Sequence, residues 1–228
     1  TQRDPSFGGV NPEPVPKNLK EFLRITKAKK PHLAIALDGD ADRIAACGAG
    51  GEYLNSGQII SLLLLHLLQH KHLKGKVIKT ISGINLIEKI AKDFKLDLQE
   101  TPVGFKHISK IMLREDVLIG GEESGGIGFK GYIPERDGII SGLLLLEMVA
   151  ARGKPIDKIM NDVYKRYGKS YYDRIDLELS AEKGKKVVDA LKEKPPKDFS
   201  GKHITEIKSY DGIKFILNEI DIFFFYVV

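Results

Sequence analysis

The sequence predicts an α/β protein: a mixed, mostly parallel sheet covered by helices, with a smaller, cut-off α+β piece after it. Three observations carry this reading. Between Leu33 and Gly168, short apolar runs of strand character alternate with helical segments, the pattern of a sheet covered on both faces. The longest apolar runs, "IISLLLLHLL" and "GLLLLEMV", suit helices buried over most of their surface and are too short to span a bilayer. From Tyr171 the character changes to one strand, one helix and three short strands in close succession. A division is expected at about Tyr171.

Taken in order, "TQRDPSFGGVNPEPVPKN" is polar and rich in Pro and Gly; it does not read as a secretory signal and resembles the interior of a longer polypeptide. "HLAIALD" is an apolar strand and "IAACGAGGEYL" its hairpin partner with a glycine turn. "SGQIISLLLLHLLQHK" is a helix with Ser56 as N-cap. "KVIKTI" is a β-branched strand, and "NLIEKIAKDF" has apolar residues at helical spacing. A strand in "LDLQETPV", a helix in "FKHISKIMLRE" and a strand "DVLIGGEES" entering a glycine-rich loop follow. "DGIISGLLLLEMVAARG" is a helix capped by Asp137 and stopped by Gly153, and "PIDKIMNDVYKRYG" is another. In the last piece "YYDRIDLELS" reads as a strand, "AEKGKKVVDALKE" as a helix, and "HITEIKS", "GIKFILN" and "DIFFFYVV" as strands.

Composition bounds the function classes. With 42% hydrophobic and 29% charged residues in 228, the chain has material for a substantial core. The formal charge is +5, but the lysines are interleaved with glutamates, as in "EKGKK" and "LKEKPPKDF". That reads as a solvated surface, and nucleic-acid binding gets little support from charge alone; neither a nucleic-acid nor a membrane partner is expected. The single cysteine, Cys47, excludes an internal disulfide and fits a reducing cytoplasm.

The chemistry gathers first in "ALDGDADRIA", where Asp38, Asp40 and Asp42 end an apolar strand and Arg43 follows. Three carboxylates so placed repel one another unless a cation joins them. One reading is a solvated Asp-rich turn. An EF-hand loop fails, because Arg43 and Ala49 stand where Gly and Glu are required. A haloacid-dehalogenase-type phosphatase shares the D-x-D but not Asp42. Oxygen ligands without His or Cys favour Mg²⁺, and Arg43 suits a phosphate that shares the site. Eighty residues on, "GGEESGGIGFKGYIPERDG" places Glu122 and Ser124 two apart in what reads as an extended segment, so both side chains would face one way. A carboxylate beside a hydroxyl suits neighbouring sugar hydroxyls.

With "DPSFGGVNPEP", "ALDGDADRIA", "TPVGFKHI", "GGEESGG" and "PERDG" in this order, the chain resembles the α-D-phosphohexomutases, the phosphoglucomutase and phosphomannomutase superfamily. Glu123 inside G-E-E-S is more similar to the phosphoglucomutase branch than to the phosphoglucosamine branch. The resemblance implies that Asp38, Asp40 and Asp42 carry Mg²⁺ and that Arg43 contacts the reacting phosphoryl region. Glu122 and Ser124 would hold the sugar's 3- and 4-hydroxyls, and Gly104 would lie on a loop lending backbone to the ligand site. Arg136 stands where many phosphoglucomutases have Lys; as a permanent cation it would act by charge and orientation. The implied ligand is a hexose phosphate, glucose or mannose 1- or 6-phosphate. The implied reaction passes a phosphoryl group from phosphoserine to the sugar through a bisphosphate.

The family's phosphoserine motif, of the T-A-S-H-N-P type, and its phosphate clamp, of the R-x-S-G-T type, are not found in this sequence. The resemblance therefore implies the end of a second domain with the metal loop (1–53), a whole sugar-binding third domain (54–170) and a cut-off fourth (171–228), inactive as a separate chain. The competing expectation is a non-catalytic module binding metal and sugar phosphate. Lys106 is a candidate for phosphate or sugar oxygen, and Lys79 for the cleft wall. His66 and His70, four apart on a helix, read as packing, as does Cys47. The uncharged tail "IFFFYVV" (Ile222 to Val228) has the composition of an aggregation-prone strand. It is expected to pair with its own piece or with a second copy, giving a dimer through the C-terminal strand.

Overall fold

A computed structural model of the chain describes residues 3–199, 201–217 and 221–227. It forms two compact units, Thr1–Tyr171 and Tyr172–Val228.

The first α-helix of the first unit, α1 (Lys20–Lys29), lies in a segment whose apolar pattern does not single it out. Strands β1 (Ala34–Leu37), β2 (Ile44–Cys47) and β3 (Tyr53–Leu54) follow as an antiparallel meander. β1 and β2 form a hairpin with Leu37 opposite Ile44, so the loop of residues 38–43 stands at its tip. Helix α2 (Ser56–Gln69) is capped by Asn55, not by Ser56. Asn55 Oδ1 accepts from Gln58 N at 3.0 Å and Gln58 Oε1 from Asn55 N at 2.8 Å, a reciprocal capping box. Ser56 is the first helical residue and is buried.

The central sheet holds β4 (Lys76–Thr80), β5 (Leu98–Thr101), β6 (Val117–Gly121) and β7 (Ile127–Phe129) in the order β5-β4-β6-β7. β4 pairs parallel with β5 and β6, and β7 runs antiparallel to β6. Helices α3 (Asn85–Asp93), α4 (Phe105–Met112), α5 (Gly138–Arg152) and α6 (Ile156–Tyr167) complete the unit. Val77, Leu118, Ile119 and Ile127 share one core with α2, α3, α5 and α6, while Ile78 and Val117 pack with Phe105 and Ile108 of α4. The sheet is therefore covered on both faces. Each fully buried Leu or Ile in that core stabilises the fold by roughly 1.5–3 kcal/mol.

The end of β6 depends on two glycines. A Cβ on Gly120 would sit 2.4 Å from Ile108 of α4, and one on Gly121 would sit 2.5 Å from Ile60 of α2. Both helices close onto the strand there, fixing the point from which Glu122 departs.

Two expectations are corrected. Lys79 does not line a cleft: it is fully buried, paired with Glu88 Oε1 at 2.5 Å and Glu100 Oε2 at 3.5 Å, and donates to Gly83 O at 3.0 Å. Residues 169–180 contain no strand, and Ile175 and Leu177 are 82% and 74% exposed. Apolar alternation favours an extended chain, but a strand also needs to join a hydrogen-bonded ladder, and among the described residues this stretch joins none of the sheets.

The second unit holds helix α7 (Ala181–Glu193) and strands β8 (Asp198–Phe199), β9 (Lys202–Lys208), β10 (Ile213–Leu217) and β11 (Asp221–Phe225). They form an antiparallel sheet in the order β11-β10-β9-β8. The apolar tail pairs with its own unit: Phe223 lies opposite Phe215, and Phe225 joins Phe199 and Phe215 around the core. Among the described residues, no helix is long and apolar enough to cross a membrane.

Candidate functional site

Four loops of the first unit converge, and the strands they leave explain why. The loop 38–43 turns through Ala41, a non-glycine residue at φ +62°, a conformation that side chains other than glycine seldom take. Two contacts hold it there. Gly138 N donates to Ala41 O at 2.9 Å, and Arg43 N donates to Asp38 Oδ1 at 3.0 Å. The result brings one oxygen each of Asp38, Asp40 and Asp42 within 4.8 Å of one another. At that spacing each charged pair repels by roughly 3–4 kcal/mol at an effective dielectric near 20.

The glycine-rich loop joins β6 to β7. Glu122 N donates to Gly126 O at 2.9 Å and Gly125 N to Glu122 O at 3.2 Å, so residues 122–125 form a turn. The expectation of an extended segment with Glu122 and Ser124 on one side is corrected here. Gly125, at φ +102°, permits the reversal that returns the chain as β7. Glu122 is buried and Ser124 half-buried. This turn is also stitched to the acidic loop: Ile44 N donates to Gly125 O at 3.2 Å, and Arg43 bridges Gly126 through the backbone.

The remaining two loops supply Arg136, just ahead of α5, and Gly104, just ahead of α4. Gly104 N donates to Glu122 Oε1 at 3.0 Å. Arg136 donates through Nε to Asp42 Oδ2 and through Nη1 to Glu122 Oε2 at 3.3 Å. Arg43 Nε lies 3.6 Å from Asp38 Oδ2 and 3.7 Å from Asp42 Oδ1. Burial pushes the Glu122 carboxyl above the ordinary range, against the opposing pull of Arg136, Gly104 N and Arg43. Burial disfavours the Arg136 cation, yet Asp42 and Glu122 outweigh it and hold its pKa above the ordinary value.

The structure thus brings Asp38, Asp40, Asp42, Arg43, Gly104, Glu122 and Arg136 into one neighbourhood. Lys106 is exposed in the first turn of α4; its Cε would lie 3.7 Å from a Cβ built on Gly104. His66 lies elsewhere, buried in α2, with Nε2 3.1 Å from Glu147 Oε2 and its ring stacked on His70. Cys47 is buried. Sequence reasoning missed Gly138, whose Cβ would sit 2.7 Å from Arg43 O and 2.8 Å from Ala41 O. Its signal lay in "PERDG", where the glycine follows the helix cap.

The donor set fits a hard divalent cation. Four carboxylates, Asp38, Asp40, Asp42 and Glu122, face two guanidinium groups, a formal surplus of two negative charges. Among the described residues, Asp42 Oδ1 is also buried without a hydrogen-bond partner, the condition of a ligand atom without its ion.

Two family models match the chain: phosphoglucomutase/phosphomannomutase, alpha/beta/alpha domain II, over residues 1–51, and alpha/beta/alpha domain III over residues 55–167. The chain belongs to the α-D-phosphohexomutase superfamily. It is 32% identical over 164 residues to a phosphoglucomutase/phosphomannomutase of Thermococcus kodakarensis, covering 72% of this chain and 36% of that one. It is 36% identical over 132 residues to a phosphoglucosamine mutase of Fusobacterium nucleatum, covering 58% of this chain and 29% of that one. The crystal structure of a "putative phosphomannomutase" from Thermus thermophilus superposes with a TM-score of 0.81 at 35% identity, over 95% of this chain and 45% of that one. The chain spans about a third of the length of these curated relatives.

Proposed function

We propose that this chain is the metal- and sugar-binding centre of a Mg²⁺-dependent phosphohexomutase that interconverts hexose 1- and 6-phosphates, with glucose or mannose phosphate as substrate. In this reading Asp38, Asp40 and Asp42 would hold Mg²⁺, which when bound supplies positive charge against a transferring phosphoryl group. Arg43, a permanent cation on the edge of that loop, faces the phosphoryl group. Glu122 accepts from a sugar hydroxyl, and its Oε1 is oriented for this by the Gly104 N–H. Ser124 offers a second hydroxyl contact, and Lys106 an exposed ammonium for phosphate or sugar oxygen. Phosphoserine and a phosphate clamp come from outside the residues of this chain, which is therefore inactive by itself. The buried, unpaired Cys47 accords with a reducing cytoplasm.

The observation that carries the reading is the backbone seam between the acidic loop and the glycine-rich loop, Ile44 N to Gly125 O at 3.2 Å. It gives the metal ligands and Glu122 one common frame. Calorimetric titration with glucose 1-phosphate and glucose 6-phosphate, with and without Mg²⁺, tests it. Binding that is lost in Glu122→Ala and weakened in Asp40→Ala supports the proposal. Binding indifferent to both substitutions refutes it.

A further inference from the structure

Arg136, expected to act by charge and orientation, is already engaged on two sides. Its Nε is engaged by Asp42 Oδ2 and its Nη1 by Glu122 Oε2, 3.3 Å away. Those two carboxylates sit on different loops, one at the hairpin tip after β1 and the other at the end of β6. The arginine lies close over the glycine-rich turn, since a Cβ on Gly126 would come 2.7 Å from Arg136 Cδ and 3.2 Å from Glu122 Oε2. Glu122 Oε1 is taken by Gly104 N at 3.0 Å. Among the described residues Asp42 Oδ1 has no hydrogen-bond partner, and Arg43 Nε lies 3.7 Å from it. The guanidinium is thus the link between the acidic loop and the buried glutamate.

We infer that Arg136 is a built-in counter-ion of the acidic loop: it shares Asp42 with the bound cation, restrains Mg²⁺ affinity, and is handed over to Glu122 when the metal binds. This deepens the proposed function and rests on its assignment of Mg²⁺ to Asp38, Asp40 and Asp42. The physical ground is charge. A guanidinium on Asp42 neutralises part of the field that attracts a cation, and a divalent ion on the same carboxylate repels the guanidinium in turn. Glu122 gives the displaced group a partner already in contact, so Arg136 need not return to water. By linkage, whatever Arg136 costs the metal, the metal costs the Arg136–Asp42 pair. Arg136 is in this account a positioning residue, acting on the metal through Asp42 and on the sugar through Glu122.

The test uses the full chain with Mg²⁺ as the probe. Calorimetry is run on the unaltered protein and on Arg136→Met, Arg136→Lys and Asp40→Ala. The Arg136 side-chain Nε–H is followed by nitrogen-edited NMR through the same titration. Arg136→Met is expected to bind Mg²⁺ roughly ten- to hundredfold tighter, within the span of couplings between neighbouring sites. Arg136→Lys, which keeps the charge, stays within a few-fold of the unaltered protein. The Nε–H signal should shift and exchange faster with water as Mg²⁺ is added. Arg136→Met that binds Mg²⁺ equally well or more weakly overturns the inference, because an arginine that only orients Asp42 would give that result. An Nε–H signal unmoved by saturating Mg²⁺ overturns it too, and that measurement needs no substitution. Asp40→Ala keeps the two readings apart. If it leaves Mg²⁺ binding unchanged, the metal assignment itself has failed; if it abolishes binding while Arg136→Met fails to tighten it, only the role of Arg136 has.

Discussion

Gly138→Ala sets two physical effects against each other, and the structure says which wins. Gly138 is the first residue of α5, where alanine normally stabilises a helix by up to about 1 kcal/mol relative to glycine. Here a Cβ would sit 2.7 Å from Arg43 O, 2.8 Å from Ala41 O and 2.9 Å from Leu37 Cδ2. Two of those atoms are backbone oxygens of the acidic loop, and Ala41 O also accepts from Gly138 N at 2.9 Å. Relieving the overlap means parting α5 from the loop. Overpacking of this kind costs about 1–3 kcal/mol, and the lost hydrogen bond about 1 kcal/mol more. Against the helix-propensity gain, the net destabilisation is about 1–3 kcal/mol. For a unit of this size that lowers Tm by roughly 3–10 °C. Thermal unfolding of the Thr1–Tyr171 unit measures it, and Mg²⁺ calorimetry on the same variant should show weaker binding, because the loop carrying Asp40 and Asp42 has moved. A variant with equal or higher Tm and unchanged Mg²⁺ affinity would refute the argument that α5 and the acidic loop share this seam.

Lys79→Met removes a fully buried ammonium that pairs with Glu88 and Glu100. The Glu88 partner is partly solvated, so the loss is discounted to about 2–4 kcal/mol; denaturant unfolding reads it, and a loss below about 1 kcal/mol would contradict a structural role for the buried Lys79 cation. His66 is held below its ordinary pKa by burial, despite the Glu147 hydrogen bond that favours its charged form and in the company of His70 and Lys71. The unfolded chain binds this proton more readily, so His66 lowers stability as pH falls below about 6.5. Glu147, held low by hydrogen bonds from Lys71 and then His66, contributes stability that is lost only as pH falls further, below the usual carboxylate range. His66→Gln should flatten the upper part of the Tm-versus-pH curve, and an unchanged slope there would count against this. Ending the chain after Leu217 removes β11 and uncovers Phe215, so the second unit should lose its strand signal while the first keeps its unfolding transition. Loss of both transitions would show that the units do not fold independently.

The elements of the first unit were legible where apolar periodicity and caps agree, as in α5 between Asp137 and Gly153. Two helix features escape the local sequence pattern for physical reasons. Ser56 and Asn55 are both capping residues, and only the reciprocal bond with Gln58 decides between them. The α1 segment follows a Pro-rich stretch and buries little, so its apolar pattern is thin. The stretch around Ile175 alternates like a strand but joins no sheet among the described residues, and sheet membership is not written in local sequence. The residue types of the site were legible because D-x-D-x-D and G-E-E-S keep their chemistry within a few positions. The link between Asp42 and Arg136 spans 94 residues, and only the packing of α5 against the hairpin brings them together.

The most direct measurement of the central claim is a mutase assay on a chimera. In it, residues 1–171 of this chain replace the matching segment of the Thermococcus kodakarensis relative, which supplies the rest of the molecule. The expected result is Mg²⁺-dependent interconversion of glucose 1-phosphate and glucose 6-phosphate, abolished by Asp40→Ala or Glu122→Ala in the grafted segment. A folded chimera that binds Mg²⁺ but shows no turnover, or one whose turnover survives both substitutions, would contradict it.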